Sequence, residues 1–454
     1  MSVSRRWIAA SRFGYGAHPR QTPPESAEDL MAQLAPGAGF ADDLGGPTVG
    51  ERTAMFRAFA KARRAAKTSG DRSQLRAERR AIEQMHRRDR ERRILTPLRS
   101  PYGFFERLAW FWADHFAVAG RDLRARALVG RFEADAIRPH IAGSFRDLLR
   151  AAALHPAMLV FLDQNRSVGP NSRVGLKRGR GLNENLAREI LELHTLGVGA
   201  GYTQDDVREF AELLTGVSFA MEGGRLTFLP NRAEPGAEIV LGKSYGGGAP
   251  RLEDVYLALD DLADHPQTAR HIARKLAVHF TADEPDAALV AHMEAAFLRS
   301  GGDLPSVYGA MLEHPASWSA YGAKVRQPFD FAVAALRAID PDDRELDLIG
   351  ERKNGERRLA AALDAMGQPV YRPPGPQGWR EASAHWITPQ GLTARLRWAS
   401  HLGRTMERRL DPRDLLRTAL GDSAREATRF AAVNAAERWE GLAFVFASPE
   451  FNRR

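Results

Sequence analysis

Two carboxylates about one helical turn apart, Glu189 and Glu192, stand beside Asn185 and Arg188 in the stretch from Asn183 to Gly197. On a helix these four side chains fall within an arc of about 100°, by the i, i+3, i+4, i+7 spacing. Leu186, Ala187, Ile190, Leu191 and Leu193 cover the opposite side, so the pattern predicts an amphipathic helix. Asn183 takes the N-cap position and Gly197 the position just past the last turn. The polar arc has two readings. It can be a solvated face in which Glu184 pairs with Arg188, and Arg188 with Glu192, at i, i+4. Alternatively it faces a cleft: Glu189 and Glu192 act as acid/base groups or cation ligands, Arg188 clamps an anion, and Asn183 and Asn185 contact a ligand. His194 falls in the middle of the apolar arc, away from both carboxylates, and reads as a packed histidine donating to a carbonyl.

Three other stretches carry groups suited to chemistry. Ser100-Pro101 opens a helix on which Phe104, Leu108, Phe111 and His115 share one face, so the helix is expected to be deeply buried. His115 is then either a satisfied core histidine or a third participant meeting the arc of residues 185 to 192. The Gly-rich run from Gly169 to Gly181 contains Arg173, Lys177, Arg178 and Arg180 and feeds the central helix. It reads as a solvated loop or as a site for a small anionic ligand, since free N–H groups and the helix dipole favour negative charge. On the second reading Arg178 and Arg180 bind the ligand. The run is not a P-loop, because no strand precedes it and no Gly-Lys-Ser/Thr ends it. Gln368 to Trp379 is too rich in proline to be helical, and it carries Trp379 with Trp386 close behind. Trp379 is expected to wall a cleft or to pin its loop to the core. Lys324 and Arg326 either reach an anionic ligand or lie on the surface.

The positioning elements follow from periodicity and breakers. The chain has 454 residues, 44% of them hydrophobic, and no cysteine. It can therefore bury a substantial core, and any metal must be held by His, Asp, Glu, Asn or backbone oxygen. Helical patterns dominate, and the predicted fold is mainly α: a multi-helix bundle with a basic helical hairpin and a small antiparallel β flap. Residues 1–50 carry N-terminal helices and a loop, 51–95 the hairpin, 96–216 the helical core with the site, 217–250 the flap, and 251–454 a helical region continuous with the core. Within the last of these, residues 340–358 read as a charged linker, and two terminal helices are expected near 412–420 and 426–447. Thr203 and Asp206 form a capping box. The net charge of +8 is local: residues 51–93 hold fifteen Lys and Arg against six Asp and Glu, a net of +9. That hairpin is either a salt-laced solvated arm or a nucleic-acid surface, though no aromatic interleaving accompanies its arginines.

The stretch Asn183 to Gly197, with Gly201 to Val207 and Leu214-Thr215-Gly216, resembles the signature of the bacterial domain-of-unknown-function 1800 family. Ser11 to Gly16, Phe111 to Phe116, His155 to Met158, Ala273 to Leu276, Met366 to Pro369 and Ser448 to Phe451 resemble it too. Asp114-His115 stands where that family usually has Asn-His, and Ala113 where relatives often have a second histidine. The resemblance implies work beside a sulfatase-like partner, and it implies that relatives are often exported. This chain shows no apolar segment after Arg5-Arg6 and no membrane span, so it is expected to be cytoplasmic.

Three functions are open on these grounds: a ligand- or cation-binding, catalytic cleft around residues 183–197, a scaffold for the sulfatase-like partner, and nucleic-acid association through residues 51–93. No Ser-His-Asp order, nucleotide fingerprint or HExxH motif is present, so the sequence names no reaction, metal or cofactor.

Overall fold

The computed structural model describes residues 3–35, 45–179, 181–319, 321–350 and 358–454. Apolar residues at helical spacing organise most of them: the chain is 62% helical, with 23 α-helices among the described residues and two sheets of two strands each.

The aromatic helix Gly103–His115 lies at the centre, as its apolar stripe demands. Phe104, Leu108 and Trp112 are wholly buried. Phe104 packs edge-on against Phe13, Phe280 and Tyr308, and Trp112 Nε1 donates to Tyr308 Oη at 2.6 Å. Behind it, Asp330 on the helix Pro328–Ile339 is a buried anion held by Arg107 at 2.8 Å, Arg454 at 2.9 Å and Arg326 at 3.5 Å.

The basic hairpin is formed by helices Val49–Ser69 and Ser73–Arg99, joined at Gly70 with φ +76°. Thr48 and Glu51 make a capping box at its start. Its base is fixed by a buried bidentate pair, Arg52 to Asp89 at 2.6 and 2.8 Å, while most side chains between Lys61 and Arg80 are exposed.

The central helix departs from the expected single α-helix. Asn185–Glu189 is α-helical, but Ile190–His194 is a π turn, closed by Leu196 N donating to Leu191 O at 3.1 Å. The extra residue per turn re-aims the side chains after it, a device common at functional sites. Asn183 is not the N-cap either. That position is Glu184, and the Asn183 side chain accepts instead from Asn185 N at 2.9 Å.

Thr203 and Asp206 form the expected capping box on the helix Gln204–Leu213. The flap is two hairpins rather than one sheet: β1 (Val217–Phe219) pairs with β2 (Leu226–Phe228), and β3 (Ala237–Val240) with β4 (Lys243–Gly246). Pro230 and Pro235, which offer no N–H to a ladder, stand between them. β3 docks on Gln204–Leu213, with Ile239 N donating to Glu209 and Leu241 N to Asp206.

Two further expectations change. The charged run after residue 340 begins with a helix, Asp343–Ile349, because Asp342 and Glu345 close a capping box. Residues 351–357 lie outside the described residues. An 18-residue helix, Pro389–Met406, precedes the expected terminal ones, and the last of these is split into Glu426–Val433 and Arg438–Ala447. No described helix is long and apolar enough to cross a membrane.

Candidate functional site

The polar arc of the central helix forms a half-exposed ladder. Arg188 pairs with Glu184 at 3.0 Å and Glu192 at 3.6 Å, and donates to Gln204 at 2.9 Å. Asn185 is exposed, and the Asn183 backbone N–H donates to Ser167 Oγ at 3.0 Å. Glu189 forms no hydrogen bond or ion pair with a described residue. Burial, then Glu192, raises its carboxyl above the ordinary range against the pull of Arg188. The Gly-rich run rests on the segment between the two hairpins of the flap: Asn171 donates to Glu234 at 2.6 Å, and Gly169 N to Arg232 O at 2.8 Å. Arg180 and the Arg178 side chain lie outside the described residues.

His115 is not brought to this arc. It approaches the opposite side of the central helix, where its Nε2 lies 3.1 Å from the carbonyl oxygen of His194. His194 accordingly does not donate to a carbonyl as expected: both its ring nitrogens are buried without a partner, 6.0 Å ring to ring from His115. A third imidazole, His271, stands 6.2 Å from His115, with Nε2 at 3.1 Å from Leu193 O. Gly197 permits this approach. Its φ is +93°, and a Cβ there would sit 2.9 Å from His271 Nδ1.

The helix Pro266–Phe280 supplies the key repeat, with His271, Lys275 and His279 at i, i+4, i+8 on one face. Facing it are Asp114 at the end of the aromatic helix and the proline-rich loop. Trp379 N donates to both Asp114 oxygens, at 3.0 and 3.1 Å. Gly378 makes this contact possible: its φ is +75°, and a Cβ would lie 2.4 Å from Asp114 O. Trp379 also packs 5.9 Å from Trp386. Two residues on, Glu381 lies 2.6 Å from His279 Nδ1 and 3.0 Å from Lys324 Nζ. Lys324 also binds Asp283 at 2.9 Å. Lys324 and Arg326, expected at a ligand or on the surface, are instead buried structural ions.

The electrostatics of this cluster are unusual. Burial is the main cause for each histidine and keeps it neutral: His194 falls to about 3, His271 and His279 to about 4, and His115 well below the ordinary value. Burial also pushes the Asp114 carboxyl up to about 7, with Glu381 adding to it and the Trp379 N–H opposing. Lys275 is lowered by burial, against Asp114 and Glu381. Burial raises Glu381, but His279, Lys324 and Arg454 outweigh it and keep it ionised.

Of the residues singled out in the sequence, the structure sets His115 beside His194, joins Trp379 to Asp114, and pairs Arg188 with Glu192 on the far side of the central helix. His271, Lys275, His279 and Glu381 complete the buried cluster around His115 and Asp114. The signal available for three of them was the four-residue repeat of His271, Lys275 and His279.

No curated protein and no solved structure matches the chain. The sequence model of the family described as Protein of unknown function (DUF1800) matches residues 8–453. With nearly its whole length covered, the chain belongs to the DUF1800 family.

Proposed function

We propose that the polar cluster between the aromatic helix, the helix Pro266–Phe280 and the proline-rich loop is an acid–base site for a small polar ligand, with Lys275 as the contacting group. One observation carries this reading. Lys275 is partly exposed, yet no described residue forms a hydrogen bond or ion pair with it, although Asp114 and Glu381 are its electrostatic neighbours. An ammonium group held among neutral imidazoles has three donors to offer, and a ligand carboxylate, phosphate or carbonyl oxygen answers them. Burial raises the Asp114 carboxyl and lowers Lys275, so both stand ready to exchange a proton with a bound ligand.

The test is a ligand screen by thermal shift on the full chain, using small carboxylates, phosphates and carbonyl compounds. Each hit is repeated on Lys275→Met and Asp114→Asn. Hits whose affinity drops about tenfold or more in Lys275→Met support the site, because a charge-assisted hydrogen bond contributes about 1.5–3 kcal/mol. Hits that bind both proteins equally place the ligand elsewhere and end this reading.

A second reading concerns the hairpin, whose tip presents Arg63, Arg64, Lys67, Arg72, Arg76 and Arg79 around Gly70. Such a tip attracts a polyanion such as duplex nucleic acid without sequence choice, with binding that weakens steeply as salt rises. A salt titration on random duplexes tests it, and a flat response rejects it.

A further inference from the structure

Where the flap meets the helix Gln204–Leu213, three carboxylates converge. Oxygens of Glu209, Glu212 and Glu238 lie within 4.8 Å of one another. Little around them is positive. Ile239 N donates to Glu209 Oε2 at 2.9 Å, and Arg208, largely exposed, donates to Glu212 Oε1 at 3.2 Å. Glu238 is the anomaly: it is only 6% exposed, and among the described side chains its carboxyl meets only those of Glu209 and Glu212. Like charges this close, partly out of water, do not stay ionised together unless something neutralises them.

We propose that Glu209, Glu212 and Glu238 hold one divalent cation of the calcium class, which fastens β3 to the helix Gln204–Leu213. The donor set is all carboxylate oxygen, which suits calcium, magnesium or manganese rather than the softer metals that take imidazole or thiolate. Calcium–oxygen bonds of about 2.3–2.6 Å set opposite ligands about 5 Å apart, so oxygens within 4.8 Å of one another reach a single ion by side-chain rotation alone. Glu209 is partly exposed, which leaves a side open for the waters that complete a calcium shell. The ion stands beside the two backbone bonds, Ile239 N to Glu209 and Leu241 N to Asp206, that already join flap to helix. This site is separate from the Lys275 cluster and does not depend on it.

A shared proton is the competing solution, since burial, then Glu209 and Glu212, push the Glu238 carboxyl up to about 8. Glutamine separates the two, because an amide imitates a protonated carboxyl but brings no charge and only one oxygen to a cation. The experiment uses the full chain, stripped with a chelator and titrated calorimetrically with Ca²⁺, Mg²⁺ and Mn²⁺ separately at pH 7.5. Wild type, Glu238→Gln, Glu209→Gln and the exposed control Glu222→Gln are compared, each also melted with and without the ion. The expected result is one ion per wild-type chain, a higher melting temperature when it is bound, and affinity weaker by about tenfold or more in Glu238→Gln and Glu209→Gln, with the control unchanged. Absence of binding at millimolar ion, or binding that both cluster variants leave intact, overturns the proposal. Absence of binding together with proton uptake by wild type, but not Glu238→Gln, as pH falls through 8 assigns the cluster to a shared proton and equally overturns it.

Discussion

The Nδ1–H of His279 donates to Glu381 Oε1 across 2.6 Å and 102 residues of chain, and this contact ties the proline-rich loop to the helix Pro266–Phe280. Glu381 also receives Lys324, so one ionised side chain gathers a neutral imidazole and a buried ammonium. The loop that carries Trp379 is therefore held by charge as much as by packing.

Replacing Glu381 with Gln keeps the shape and removes the charge. Lys324 is left with Asp283 and the Glu381 backbone carbonyl. A loss of about 1.5–3 kcal/mol is expected from a hydrogen bond to an ionised group, read by urea unfolding at pH 7.5. A change below about 0.5 kcal/mol, the ordinary range of a surface substitution, would mean that the loop is anchored by its tryptophans alone.

Acid should unfold this protein early. His194, His271 and His279 bind protons less readily when folded than at their ordinary 6.5, so their contribution is lost as pH falls below 6.5 towards about 4. Asp114 has the opposite sign. Its carboxyl is raised from 3.8 to about 7, so its contribution is present at low pH and lost as pH rises between those values. The histidines outnumber it, and the melting temperature of wild type should drop from pH 6.5 to 4. Asp114→Asn, which still offers Trp379 N an acceptor, should gain on wild type at pH 8 and not at pH 4. Melting curves across this range check both signs.

The hairpin depends on its base. Arg52 and Asp89 are essentially unexposed, and Arg52 also donates to Ala127 O at 3.1 Å. Arg52→Ala leaves a buried carboxylate with only the half-buried Arg92 beside it, at 2.9 Å. The expected cost is about 3–5 kcal/mol, with faster protease cleavage between residues 61 and 80. Cleavage unchanged from wild type would show that helix packing alone holds the arm.

Glu189→Gln and Glu192→Gln separate the two faces of the central helix. Glu192 sits in a partly exposed ladder with Arg188, and such pairs contribute about 0–1 kcal/mol. Both variants should unfold within about 0.5 kcal/mol of wild type and should retain any ligand that depends on Lys275. Loss of that ligand in either variant would move the working site to the arc.

The local features of this chain were legible from its letters. A hundred-degree periodicity gave the central and aromatic helices. Thr203 with Asp206 announced a cap, and the break at Gly70 divided the basic arm into two helices. Each is an interaction between residues a few positions apart, and spacing encodes it directly. Thr388-Pro389 is such a signal too, an N-cap before a proline at the first position of the helix Pro389–Met406.

Only the tertiary structure decided which polar groups share a space. Asp114, His194, Lys275 and Glu381 come from four elements spread over more than 250 residues of sequence, and nothing local marks their convergence. A 3.6-residue wheel put His194 against the core and the carboxylates elsewhere, as found. The π turn at Ile190–His194, which governs how that histidine is presented, is a backbone event that the wheel cannot contain. Spacing fixes which side of a helix a residue occupies. What waits opposite, and whether it leaves an ammonium without a partner, is set by how distant helices pack.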